Sequence, residues 1–185
     1  MNFGFTEEQG FLREAVRKFV DDRCPMSEVR RLMKTRDAHS PELWRALAEQ
    51  GTLGLLIPDE YGGAGLSWVD FVVVLEETGR TLLPSPLVST ALAATALLEA
   101  GSSAQKSRWL PCFADGSAVG TLAILEASDR QGVSGVGLRA VADGEVDVLT
   151  GEKRFVADAG AADVFVVAYR AGTAVRLGLV PKDAP

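Results

Sequence analysis

The stretch that decides the fold is residues 51–67, which read GTLGLLIPDEYGGAGLS. The segment before it places Leu43 and Leu47 on one helical face, and its opening glycine is a typical residue at a helix end. Ser67 closes the stretch and is a typical residue at a helix start, with Asp70 three positions later. The stretch is therefore predicted to connect two helices. Because its glycines do not follow a strand, they are interpreted as turn glycines and not as a nucleotide-phosphate loop.

Helix signals continue on both sides of this connection. A capping box at Thr6–Gln9 and the start signal Ser40–Glu42, which has proline at the first helical position, come before it. Residues 87–100 carry no charge until Glu99, which predicts a helix buried over most of its surface. A last short helix begins at Ser103–Lys106. The first part of the chain is thus predicted to be helical.

The hydrophobic period changes after Gly116. Short apolar runs are separated there by turn signals such as Asp143–Gly144 and Thr150–Gly151. Helices followed by strands indicate the α+β class, with an N-terminal all-α helical domain at residues 1–117 and a partial antiparallel β-barrel domain at 118–185. The predicted strands are 121–125, 138–141, 146–149, 165–169 and 175–180.

The composition is that of an ordinary globular protein. The 185 residues are 47% hydrophobic and 24% charged, and 19 basic against 25 acidic residues give a net charge of −6. This acidic balance argues against a nucleic-acid partner, and no apolar run reaches the roughly 18 residues of a membrane span. Cys24 and Cys112 are interpreted as thiols of a cytoplasmic protein, although a disulfide stays open.

Residues that commonly carry catalysis or bind metals are sparse. His39 is the single histidine, and a metal site or a Ser-His-Asp triad needs further groups that the pattern does not supply. The glycines at 132–137 lack both the dinucleotide-loop spacing and the Walker lysine. Carboxylate pairs such as Glu76–Glu77 are sequence neighbours, which point about 100° apart on a helix. Residue patterns alone predict neither a catalytic constellation nor a metal site.

Several segments together resemble the acyl-CoA dehydrogenase family. The strongest match is the connection at 51–67 with Glu76–Arg80 downstream of it. Each motif is modest, but they occur in the family's order and cover essentially the whole chain. The other matching segments are Phe5–Gln9, Gly101–Lys106 with Trp109–Pro111, Thr150–Val156 and Ala162–Val167.

The resemblance implies an FAD-dependent oxidoreductase of acyl-CoA thioesters. In that family a glutamate takes the α-proton and flavin N5 takes the β-hydride, and an electron-transfer flavoprotein is the electron acceptor. The resemblance also implies a helical domain, a middle β-barrel and a C-terminal four-helix bundle, assembled as homo- or hetero-oligomers. Because the glutamate belongs to the bundle, this chain is expected to contain no catalytic residue.

Two positions depart from the family pattern where the flavin is expected. The family's Thr-Glu-Pro corresponds to Leu125–Ala127, and its Trp-Ile-Thr corresponds to Phe155–Ala157. Leu125 and Ala157 lack the hydroxyls that would bond to the flavin, so their backbone amides would have to substitute. Phe155 keeps an aromatic ring that can stack on the flavin. The cofactor-binding residues that the resemblance implies are Leu122, Ile124, Leu125, Phe155, Val156 and Ala157.

The resemblance places an acyl pocket along residues 87–92, with prolines at its entry. This segment either lines the pocket or is only a buried helix that packs against Phe71, Val72 and Leu75. Ser128 either lies near the thioester or the pyrophosphate, or is only a loop serine. The substrate-binding residues that the resemblance implies are Pro84, Leu87, Val88, Leu92 and Ser128.

Members of the family are about twice as long as this chain. Three functional hypotheses are therefore considered. The chain is predicted to be a fragment of a larger dehydrogenase, which contributes the acyl pocket and part of the flavin site. The first alternative is a non-catalytic subunit that pairs with a complete dehydrogenase chain, which the weakened positions Leu125 and Ala157 favour. The second alternative is a flavin oxidase or monooxygenase of the same fold.

Overall fold

The computed structural model describes residues 4–36, 38–128, 130, 132–144 and 146–184. In this part of the chain helices come first and strands last, which confirms the predicted α+β class. The helices are α1 Glu7–Arg23, α2 Met26–Leu32, α3 Pro41–Glu49, α4 Trp68–Arg80, α5 Leu87–Ala100 and α6 Ser103–Ala114. The strands are β1 Gly120–Ala123, β2 Ala140–Asp143, β3 Val146–Leu149, β4 Val164–Ala171 and β5 Ala174–Pro181.

Side-chain caps fix most of the helix starts that the sequence predicts. The Thr6 hydroxyl accepts a hydrogen bond from the Gln9 amide, and the Gln9 side chain accepts one from the Thr6 amide. The same reciprocal pair forms between Ser67 and Asp70 at the start of α4. Helix α2 follows Pro25 without a side-chain cap, so its start carries no such signal in the sequence.

The strands form a mixed sheet and a separate ribbon. β1 and β4 are parallel, with Gly120 opposite Val164, whereas β4 and β5 are antiparallel. β2 and β3 pair only with each other among the strands of the described residues. The chain between β1 and β4 contains this hairpin, so β4 returns beside β1 in the same direction. Over the described residues the sheet is open, as expected of a partial barrel, but its pairing is mixed and not purely antiparallel.

Helix α5 joins the helical and β parts through a shared core. The Thr90 hydroxyl lies 3.3 Å from both the amide nitrogen and the carbonyl oxygen of Gly120 on β1. Ala93, Leu97 and Phe113 are buried in one cluster with Val164 of β4. Neither α5 nor any other helix of the described residues is both long and apolar enough to cross a membrane. The division at residues 117 and 118 stays a prediction.

A charged cluster holds α1 against α4. The Glu77 side chain is only 2% exposed, and its carboxylate accepts two hydrogen bonds from Arg17, at 2.9 and 2.7 Å. Arg80 donates to the same carboxylate at 3.1 Å and to Asp21 at 2.7 Å. Because Glu77 has these charged partners, its burial does not leave an isolated charge.

The connection at 51–67 folds into a compact loop with its own backbone hydrogen bonds. The Ala64 amide donates to the Gly54 carbonyl at 2.9 Å, and the Leu66 amide donates to the Leu55 carbonyl at 2.7 Å. A Cβ atom at Gly63 would overlap the carbonyl oxygens of Gly54 and Ile57. The stretch is thus a helix connection, as predicted, and its close backbone approach requires glycine at position 63.

Candidate functional site

An apolar hollow of about 190 Å³ lies where α5, β1 and the irregular segment 150–163 meet. Its wall comes from three separate parts of the chain, so the tertiary fold alone brings these residues together. Ser89, Thr121 and Arg154 contribute polar groups to it. The predicted site residues that line it are Leu92, Leu122, Ile124, Leu125, Phe155 and Ala157.

The segment at one side of the hollow has an unusual backbone. Phe155 has φ of 53° and Asp158 has φ of 52°, which is left-handed backbone for two residues that are not glycine. Such a conformation costs about 1–3 kcal/mol per residue and persists only when its surroundings hold it. Phe155 is 87% exposed.

Three hydrogen bonds hold this segment in place. The Arg154 amide donates to the Leu125 carbonyl at 2.8 Å. The buried Thr121 hydroxyl donates to the Ala157 carbonyl at 2.6 Å, and the buried Ser89 hydroxyl donates to Asp158 Oδ2 at 2.6 Å. The wall of the hollow is therefore organised before any ligand arrives.

Two backbone donors at the hollow have no acceptor among the described residues. Among the described residues, the structure shows no acceptor for the amide N–H of Leu125 or of Ala157. Both residues line the hollow. A backbone amide is a strong donor, so these two groups are suited to a ligand oxygen or nitrogen that accepts hydrogen bonds.

The structure brings together all but one of the residues predicted to bind the cofactor. Val156 is the exception, because it lines a larger neighbouring cavity of about 430 Å³ with Lys153 and Phe165. Contact of these residues with a cofactor stays a prediction.

The predicted substrate residues are divided between the hollow and its surroundings. Leu92 lines the hollow, and Val88 lies one turn earlier on α5 and is exposed. Leu87 is only 4% exposed and belongs to the helical core, and its contact with a substrate stays a prediction. Pro84 is half-buried in the turn before α5, and Ser128 is exposed in the turn after β1. Helix α5 therefore both packs in the core and lines the hollow.

An ion pair behind the hollow was not predicted from the sequence. Lys153 Nζ lies 2.6 Å from Glu126 Oε1. Burial raises the pKa of the Glu126 carboxyl, but the Lys153 ammonium and the amides of Leu138 and Gly137 outweigh it. The pKa of Glu126 thus lies below its ordinary value. In the sequence, the only sign of this pair is that a charged residue lies next to or near each segment predicted to bind the cofactor: Glu126 follows Leu125, and Lys153 lies two residues before Phe155.

The helical part packs on an open β part, and the apolar hollow lies at their junction. The model of the acyl-CoA dehydrogenase N-terminal domain matches residues 6–117, which is more than half of the chain. The chain belongs to the acyl-CoA dehydrogenase family.

Similar proteins cover both parts of the chain. Acyl-CoA dehydrogenase IpdE2 of Mycolicibacterium smegmatis is 42% identical over 118 residues, which are 63% of this chain and 37% of that protein. The ChsE4–ChsE5 complex from Mycobacterium tuberculosis has a TM-score of 0.89 at 29% identity, over 100% of this chain and 50% of that chain. A glutaryl-CoA dehydrogenase from Mycobacterium smegmatis in complex with FADH2 has a TM-score of 0.87 at 27% identity. The match covers 98% of this chain and 47% of that chain. This chain spans 37–50% of the length of these proteins.

Proposed function

We propose that this chain supplies one side of an FAD and acyl-CoA site for α,β-dehydrogenation of an acyl-CoA thioester. The observation that carries the proposal is the hollow, which gathers Leu125, Phe155 and Ala157 from separate segments. These are positions at which the family resemblance implies flavin contacts. The glutaryl-CoA dehydrogenase of the same fold was solved with FADH2, which supports the same cofactor here.

The residues present fit an isoalloxazine ring. The exposed Phe155 ring offers an aromatic face for stacking. The amides of Leu125 and Ala157 offer donors to ring heteroatoms, although their side chains carry no hydroxyl. The Thr121 and Arg154 hydrogen bonds hold these donors in place.

The chain's own contribution to the reaction is binding and exclusion of water. Bound FAD would supply the hydride acceptor. Leu92, Leu122 and Ile124 give the hollow an apolar wall, which strengthens the electrostatic interactions of whatever binds there. No Asp or Glu among the described residues lines the hollow. We therefore assign the α-proton base to a part of the assembly outside this chain.

The surface beside the hollow supports a further covering element. Val88, Leu92, Ile124 and Phe155 are large apolar side chains that remain exposed. Grouped exposed apolar side chains mark contact surfaces more often than free surface. In the proposed assembly this surface is covered by acyl-CoA and by the part of the protein, or the partner chain, that carries the base.

The assay for this function uses the intact protein that contains the chain, with whatever partner co-purifies. We expect bound FAD, seen as a yellow colour, and reduction of a dye acceptor with some acyl-CoA thioester in a panel of chain lengths. In the proposed pathway an electron-transfer flavoprotein replaces the dye. A colourless protein that takes up no added FAD would overturn the proposal.

A second candidate is a non-catalytic subunit of a heteromeric dehydrogenase. Leu125 and Ala157, which give the flavin no side-chain hydroxyl, favour it. It is also supported by the similarity to a chain of the ChsE4–ChsE5 complex. Co-purification with a chain that carries both FAD and the base would support this role, whereas full activity of a homo-oligomer would exclude it. The oxidase or monooxygenase alternative and the cytoplasmic location stay predictions.

Thr121→Val is expected to weaken FAD binding without unfolding the protein. The change keeps the side-chain shape but removes the hydrogen bond to the Ala157 carbonyl. Leaving that carbonyl unpaired costs about 1–3 kcal/mol, some of which appears as lost stability. The measurements are an FAD titration and a denaturant unfolding curve.

Thr95→Val is the matched control for that experiment. The Thr95 hydroxyl donates to the Ala91 carbonyl at 2.9 Å within α5, and Thr95 does not line the hollow. Its loss is expected to change stability by at most about 1 kcal/mol and to leave FAD affinity unchanged. Equal FAD affinity in Thr121→Val and Thr95→Val would contradict the role given to Thr121.

A further inference from the structure

The Glu126–Lys153 pair is sheltered from solvent. The Lys153 side chain is 7% exposed and that of Glu126 is 17% exposed. Besides its 2.6 Å bond to Glu126, Lys153 Nζ donates to the Ile124 carbonyl at 3.1 Å. Neither charged group lines the hollow, although Ile124 does. The pair therefore lies directly behind one wall of the proposed flavin site.

The Glu126 carboxylate also binds the end of the loop that follows β1. The Gly137 amide lies 3.0 Å from both carboxylate oxygens, and the Leu138 amide donates to Oε1 at 2.9 Å. A Cβ atom at Gly137 would lie 2.9 Å from Glu126 Oε2, so glycine makes room for the carboxylate. One side chain thus ties together three segments that are distant in sequence.

A basic side chain holds the same loop from the other side. Arg170 of β4 donates to the Val136 carbonyl at 2.6 Å and to the Val133 carbonyl at 2.9 Å. Amides of the loop therefore donate to the Glu126 carboxylate, and carbonyls of the loop accept from the Arg170 guanidinium. Such complementary, charge-assisted bonds fix a loop more firmly than neutral ones.

The position of the pair connects the two walls of the hollow. Leu125 precedes Glu126 directly, and Phe155 follows Lys153 by two residues. Between them the Arg154 amide bonds to the Leu125 carbonyl at 2.8 Å. The ion pair and this backbone bond therefore join the segments that carry the Leu125 amide and the Phe155 ring.

We infer that Glu126 and Lys153 are positioning residues for FAD: their ion pair sets the distance between the Leu125 amide and the Phe155 ring. The inference rests on the proposed function, in which the Leu125 amide and the Phe155 ring contact the flavin. A buried ion pair is weak evidence for stability, because desolvation offsets its attraction. The role inferred for this pair is therefore to favour one arrangement of the two walls. The pair acts through the two walls and does not touch the cofactor.

The test compares the FAD affinity of the intact protein with that of a single and a double variant of the pair. Lys153→Met keeps the stem of the side chain but leaves the Glu126 carboxylate without its cation. We expect its dissociation constant for FAD to rise about tenfold or more, as for other losses of a charged hydrogen bond. Glu126→Gln combined with Lys153→Met removes the orphaned charge, so this double variant is expected to bind FAD more tightly than Lys153→Met alone.

Matched variants keep the experiment decisive if Lys153→Met folds poorly. Lys153→Arg keeps the positive charge, so this variant is expected to fold. Because the arginine side chain differs in length and donor geometry, we also expect weaker FAD binding and a shifted visible absorption band of the bound flavin. Glu76→Gln is the control, because Glu76 forms an ion pair with Arg13 at 2.7 Å and neither residue lines the hollow. It is expected to leave both the affinity and the band unchanged.

The outcomes separate this inference from the proposed function. Weaker binding and an altered flavin band in the Lys153 variants, with partial recovery in the double variant, support it. If the wild-type protein binds FAD and all variants bind it equally, with the same band, the pair is only structural and the inference is overturned. If the wild-type protein does not bind FAD at all, the proposed function and the inference both fail.

Discussion

Glu77→Ala is expected to lower the free energy of unfolding by about 3 kcal/mol, the lower end of the cost of breaking a buried charge pair. Glu77 is almost fully buried between α1 and α4, where Arg17 and Arg80 donate to it. The lower end applies because both arginines are partly exposed and can reach water once the carboxylate is gone. Denaturant unfolding at neutral pH measures this change.

Glu76→Ala is the neighbouring control. The Glu76 side chain is 49% exposed and pairs with Arg13 at 2.7 Å. A surface ion pair of this kind contributes at most about 1 kcal/mol. Equal losses of stability in Glu77→Ala and Glu76→Ala would contradict the importance given to the buried carboxylate.

The same carboxylate predicts a dependence of stability on pH. Hydrogen bonds from Arg17 outweigh burial and, with those from Arg80, lower the pKa of Glu77 from 4.5 to about 2 in the folded chain. Its stabilisation is therefore complete above pH 4.5 and is lost as the pH falls from there towards 2. In Glu77→Gln the unfolding free energy should therefore fall less steeply with decreasing pH in that window. The difference in slope should be up to about 1.4 kcal/mol per pH unit. An unchanged slope would count against this assignment.

Gly63→Ala is expected to be the most destabilising single substitution considered, by about 4 kcal/mol or more. The new Cβ atom would overlap the carbonyl oxygens of Ile57 and Gly54, which are backbone atoms and cannot rotate away. Relief requires the loop to open, which breaks the Ala64–Gly54 and Leu66–Leu55 hydrogen bonds. Ile57 is buried in the core, so its movement also disturbs packing. Thermal and denaturant unfolding measure the loss.

Gly79→Ala provides the contrast for that substitution. Gly79 lies within α4, and a Cβ atom there would meet no other atom within 4 Å. Alanine in a helix is favoured over glycine by about 1 kcal/mol, so this variant is expected to be at least as stable as the wild type. A Gly63→Ala protein of wild-type stability would show that the loop at 51–67 is not closed as described.

Local patterns in the sequence predict the helices well but not how the strands pair. The capping boxes at Thr6 and Ser67 act over three residues, so they are visible in the sequence. Helix α2 begins after Pro25 without a side-chain cap and carried no comparable signal. The parallel pairing of β1 with β4 joins residues more than 40 positions apart, such as Gly120 and Val164. Alternation along a strand shows which face is buried, not which strand lies beside it.

The candidate site was predictable only in its apolar part. Resemblance to a family located Leu125 and Phe155, which the fold brings to one hollow. The groups that hold them were not predicted, because Glu126 and Lys153 are separated by 27 residues and meet only in the folded chain. The left-handed backbone of Phe155 also depends on tertiary hydrogen bonds and not on local propensity.

In the proposed function the hollow between α5, β1 and residues 154–157 holds the flavin ring. A crystal structure of the intact protein grown with FAD tests it most directly. We expect the isoalloxazine ring against the Phe155 side chain, with the amides of Leu125 and Ala157 within hydrogen-bond distance of ring heteroatoms. Density for the ring at any other place on the chain, away from Phe155, would contradict this placement.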